Sequence, residues 1–89
     1  MNDKFITVVM QGFPAEFPIL YTENGTTTGI TVPYDGIAGY VGNMAQQKGI
    51  TKIKIYGNSA YVNETVDNIK EFAMQEYANN NLEIEVISE

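Results

Sequence analysis

The chain opens on a continuous apolar run, Phe5-Ile6-Thr7-Val8-Val9-Met10, rich in β-branched residues. Such a run reads as a strand covered on both faces and therefore central in a sheet. Gln11-Gly12 and Pro14 end it. Two further β-rich runs, Phe17 to Thr22 and Thr26 to Val32, flank Glu23-Asn24-Gly25. Asn-Gly between such runs is a strong hairpin signal. Pro18 points to an edge or a strand start.

Pro33 stops the third strand, and Asp35 is placed to cap a helix. Ile37, Tyr40, Val41, Met44 and Ala45 then follow the i, i+3, i+4, i+7, i+8 spacing of a buried stripe. Lys48 suits the helix C-terminus and Gly49 the left-handed cap. Gly36, Gly39 and Gly42 each weaken this helix by roughly 1 kcal/mol relative to Ala, which points to a close approach of helix to sheet.

Thr51 to Tyr56 alternates, with Thr51, Ile53 and Ile55 on one side and Lys52, Lys54 and Tyr56 on the other. Gly57-Asn58-Ser59 turns the chain. A second helix is expected from about Ala60 to about Ala78, with Val62, Val66, Ile69, Ala73 and Tyr77 inside. Asn79-Asn80-Asn81 reads as its exit. In the last strand, Leu82 to Ile87, Leu82, Ile84 and Val86 oppose Glu83 and Glu85.

These elements follow the order βββαβαβ. The final strand–helix–strand unit should cross over right-handedly, making its strands parallel. If those strands are neighbours, Lys52 and Lys54 share a sheet face with Glu83 and Glu85, while both helices pack on the other. The expected fold is an α/β domain of two layers, residues 1–89: a mixed sheet with two helices on one face.

Composition narrows the chemistry. The chain of 89 residues has no Cys and no His, and its five cations are all Lys. Thiolate chemistry and histidine acid–base or metal chemistry are thereby removed. Bidentate guanidinium recognition of guanine or phosphate is removed as well. A net charge of −6 repels nucleic acid and anionic membrane. Met1-Asn2-Asp3-Lys4 lacks the opening of a signal peptide, no apolar run is long enough to span a bilayer, and a cytoplasmic location is expected. No catalytic residues, metal ligands or cofactor are expected.

The element order resembles the core of the ribonuclease-H-like fold, a three-strand meander followed by two helix–strand units. Active members of that fold have an acidic residue within the first strand and another at the end of the fourth. Here Phe5 to Gln11 contains no acid, and the fourth strand ends in Tyr56-Gly57-Asn58. Two-metal chemistry needs clustered carboxylates, so the resemblance implies a non-catalytic member. In its Ile, Asn, Lys and Tyr usage and compact length, the chain also resembles small phage-encoded proteins of AT-rich Firmicutes.

Two places could bind something. Gln11, Gly12, Tyr56, Gly57, Asn58 and Ser59 should meet where adjacent parallel strands end, the usual ligand crevice of open α/β sheets. The bland reading is a turn with a helix cap. The second place is the sheet face without helices. Because Phe5, Thr7 and Val9 alternate with Ile6, Val8 and Met10, one set must face that side. The expected patch is Ile6, Val8 and Met10 with Tyr56 and either Leu20 or Tyr21, bordered by Lys52, Lys54, Glu83 and Glu85. A large apolar patch marks an interaction surface; the alternative is that the hairpin and the loop from Gln11 to Phe17 cover it. Asp67 and Glu71 share one side of a helix, but such a row is ordinarily a solvated face.

The leading expectation is a protein-binding module that engages another protein or a second copy of itself, with no direct contact to nucleic acid or membrane. The alternatives are an acidic mimic of nucleic acid that inhibits a processing enzyme, a degenerate metal-dependent nuclease, and a sensor of small molecules at the strand-end crevice.

Overall fold

The hydrophobic pattern produces the expected elements. The computed structural model describes residues 3–12, 14–58 and 60–88. In chain order they form β1 (Lys4–Met10), β2 (Phe17–Glu23), β3 (Thr26–Val32), a single 3-10 turn (Tyr34–Gly36), α1 (Ile37–Lys48), β4 (Lys52–Gly57), α2 (Val62–Tyr77) and β5 (Glu83–Ile87).

The sheet order is β3-β2-β1-β4-β5. β2 runs antiparallel to both β1 and β3, whereas β4 is parallel to both β1 and β5. The apolar first strand is thus the central one. Pro18 marks a strand start rather than an edge, since β2 lies between β3 and β1. Asn24 (φ 53°) and Gly25 (φ 83°) turn the hairpin. Two consecutive positive φ angles match the right-handed twist of the flanking strands.

Both helices lie on one face. Ile37, Val41 and Ala45 of α1 and Val62 and Ile69 of α2 share one core with Ile6, Val8, Ile19, Ile53 and Ile55. The smallest extent of the molecule is 20 Å, the depth of one sheet and one helix layer.

Three local expectations need correction. Asp35 does not cap α1: it sits inside the 3-10 turn, and the capping position, Gly36, makes no side-chain cap bond. Pro33 fixes extended backbone before that turn and moves the helix start past Asp35. Gly39 and Gly42 of α1 admit the other helix and not the sheet, since a Cβ on Gly42 would lie 2.4 Å from Phe72 Cδ1, whereas Gly36 does approach the sheet, where a Cβ would lie 2.9 Å from Val32 Cγ1. Tyr77 is exposed at 37 %, its ring edge-on to Phe72 and its hydroxyl donating to Asn43 Oδ1. Thr65 takes a buried position on α2 that the hydrophobic stripe did not include, with its hydroxyl donating to the Tyr61 carbonyl. Gly49 and Ala78 close the two helices in left-handed conformation.

Candidate functional sites: a strand-end crevice and an open sheet face

At the strand-end crevice, β1 and β4 finish side by side, with Met10 opposite Gly57. Gln11, Gly12 and Asn58 are exposed just beyond them, while Gly57 is buried. Gly57 holds φ 151°, and a Cβ there would fall 1.8 Å from the Met10 carbonyl oxygen. That close backbone approach fixes how the chain leaves β4. Tyr56 does not belong to this crevice, because its side chain alternates with those of its neighbours and lies half-buried on the open sheet face. Ser59 lies outside the described residues.

The same end of the molecule carries a cleft of about 240 Å³ lined by Pro14, Phe17, Tyr34 and Tyr61. Antiparallel pairing brings it together: Phe17 starts β2 opposite Val32 at the end of β3, and Tyr34 follows two residues later. The Tyr34 ring stands edge-on to Phe17 at 6.4 Å and tilted against Tyr61 at 5.3 Å. Its hydroxyl donates to Glu64 Oε1. Desolvation first, then this bond to a carboxylate, raise the Tyr34 pKa, so the phenol stays neutral through the physiological range. The lining offers apolar area and two phenol hydroxyls, that of Tyr34 already bonded to Glu64. Scattered aromatics at element starts gave no sequence periodicity by which to find it.

The second site is the face opposite the helices. Register decides its membership. Thr7 lies between Leu20 and Lys54, and Lys54 lies beside Glu85; Val9 lies beside Tyr56, and Tyr56 beside Ile87. These residues share one face with Phe5 and Pro18. Ile6, Val8 and Met10 do not: they pair along the sheet with Ile53, Ile55 and Gly57 and are 0 % exposed beneath the helices. The expected patch therefore had the wrong parity in its central strand. A step of one residue along a strand exchanges faces, and both parities of β1 are apolar.

Lys52 and Lys54 do flank Glu83 and Glu85 in register. The Lys54 ammonium lies over the Phe5 ring, 4.3 Å from its centroid. Phe5, Val9, Leu20, Tyr56 and Ile87 are all half-buried. Thr7, though on the open side, is only 7 % exposed, because its longer neighbours close over it. The apolar centre is thus bordered by alternating Lys and Glu on the β4–β5 side and by Thr22, Thr27 and Thr31 on the hairpin side.

Asp67 and Glu71 are exposed on α2, as a solvated row would be. Among the described residues no three acidic side chains converge as a metal cluster would require. No described helix is long and apolar enough to cross a membrane. No protein-family model matches the chain, and no curated protein is similar to it in sequence.

Proposed function

We propose that this chain is a non-catalytic protein-binding module acting through the open face of its sheet, in the manner of a small phage-encoded inhibitor or accessory protein of the host cytoplasm. The observation that carries this reading is the uncovered centre of that face: Phe5, Val9, Leu20, Tyr56 and Ile87 between Lys54 and Glu85 on one side and threonines on the other. An apolar centre inside a polar border is the anatomy of a protein interface. Tyrosine and phenylalanine at such a centre bury large area at low entropy cost. The fitting partner presents an apolar ridge flanked by charges of both signs. The three-strand meander followed by two helix–strand units supports kinship with the ribonuclease-H-like core, in a form lacking the acids that its chemistry uses.

A nucleic-acid mimic would gather its carboxylates into one array. Here Glu64, Asp67 and Glu71 lie on α2, while Glu83 and Glu85 lie on the opposite face among Lys52 and Lys54, so the charge is divided.

The test compares two surface variants in affinity capture from the native cell. Val9→Asp should retain the fold and lose the captured partner, with at least about a tenfold loss of affinity for a central interface position. Glu71→Lys, on the helix layer, should retain it. Loss with Glu71→Lys and retention with Val9→Asp would move the interface off the sheet.

A further inference from the structure

The two edges of the sheet differ in kind. β5, at one edge, has five residues and carries Glu83 and Glu85. Two copies paired antiparallel about its middle would set Glu85 against Glu85. Natural proteins blunt exposed edges with such charges, or with proline and bulges. β3, at the other edge, has none of these. Its seven residues, Thr26-Thr27-Thr28-Gly29-Ile30-Thr31-Val32, contain no charge and no proline. They pair one-to-one with β2 along the whole strand, without a bulge. All but Val32 are exposed, and Ile30 is 47 % exposed.

The sequence of β3 is also self-complementary about Gly29. Antiparallel pairing of two copies centred there keeps all seven residues in register. It sets Thr28 beside the second copy's Ile30, Thr27 beside its Thr31, and Thr26 beside its Val32. Each pair is neutral and β-branched, the combination that stabilises cross-strand neighbours. A shift from this centre leaves residues unpaired. On the helix side a mainly apolar groove of about 260 Å³ follows the same edge, lined by Tyr21, Thr28, Ile30, Tyr40 and Met44, with Lys48 as its one charged lining residue. Two-fold pairing brings the grooves of both copies together, with each Ile30 between them.

We propose that β3 is a self-association edge: a second copy of this chain adds its own β3 antiparallel about Gly29, forming one continuous ten-stranded sheet. All four helices then lie on one face, and the open faces join into a single surface twice as wide. The edge does not depend on what the open face binds.

The experiment measures mass in solution against concentration. The wild-type chain should pass from 9.9 kDa towards twice that mass, with a transition at roughly 10–100 µM, as suits an interface below the standard size. Thr28→Lys/Ile30→Lys and Thr28→Glu/Ile30→Glu change exposed positions only. Each alone should remain monomeric, because like charges face one another across the two-fold axis. Mixed, they should form a heterodimer, since every Lys then meets a Glu.

The chain has no cysteine, so a second measurement avoids charge altogether. With oxidised glutathione as the oxidant, Thr28→Cys mixed with Ile30→Cys should form a disulfide-linked pair at least about tenfold faster than either alone, because effective concentration is high only in register. A wild-type chain still monomeric at about 1 mM overturns the proposal. Dimers of both charged variants as strong as the wild type also overturn it. If those dimers are then lost on Val9→Asp, self-association belongs to the open face.

Discussion

At the residue scale, one glycine does more for the fold than its neighbours. Gly57 combines φ 151° with a backbone approach that leaves no room for a Cβ beside the Met10 carbonyl. The atom it would meet is main chain, so no rotamer change can relieve the overlap. Gly57→Ala should therefore pull the ends of β1 and β4 apart and cost at least about 2 kcal/mol in urea denaturation. Gly12→Ala, also at positive φ but with nothing within 4 Å of its Cβ, should cost no more than about 1–2 kcal/mol. The sequence marked Gly57 as a turn residue. Its close approach to Met10 follows from pairing of residues forty-seven positions apart in the chain and was not legible there.

At the element scale, α1 and α2 meet over small residues. Gly39 and Gly42 both weaken α1 intrinsically, yet they differ in their surroundings. A Cβ on Gly39 would touch Phe72 Cε2 at 3.9 Å, an ordinary contact, whereas one on Gly42 would overlap the same ring. Gly39→Ala should stabilise the protein by roughly 0.5–1 kcal/mol through helix propensity. Gly42→Ala should destabilise it by about 1–2 kcal/mol, because displacing Phe72 outweighs that gain. Thermal unfolding of the pair, read as shifts of opposite sign, checks both.

Element types, their order and nearly all their bounds were legible, since β4, β5 and both helices have a period of 2.0 or 3.6, the first three strands are β-branched runs, and most runs end at Asn-Gly, Pro or Gly. The start of α1 was not, because a 3-10 turn occupies the first residues after Pro33. Nor was the partner of the α1 glycines, since periodicity shows which side of a helix is buried but not against what.

At the scale of the whole molecule, two helices cannot cover both sides of five strands, and which half of β1 lies open decides what the protein can touch. Val8→Asp and Val9→Asp test this with one change of chemistry at adjacent positions. Val8 is fully buried among Ile19, Ile55 and the helices. A carboxylate there should cost more than about 3 kcal/mol and leave little folded protein. Val9 lies on the open face, where the same carboxylate reaches water, and should cost roughly 1 kcal/mol. Circular dichroism and urea midpoints separate them.

Sequence alone determined the elements and the mixed two-layer architecture, because hydrophobic period and crossover handedness are local or nearly local constraints; the lateral pairing of Lys52 and Lys54 with Glu83 and Glu85 followed once β4 and β5 were neighbours. It also determined which side-chain chemistries the chain lacks. Tertiary structure decided three further things: which parity of β1 faces solvent, which aromatics gather at the strand ends, and that β3 rather than β2 forms an edge. Each depends on register between distant strands. In a strand apolar on both sides no alternation exists to specify that register, so only packing against β4 and the helices sets it.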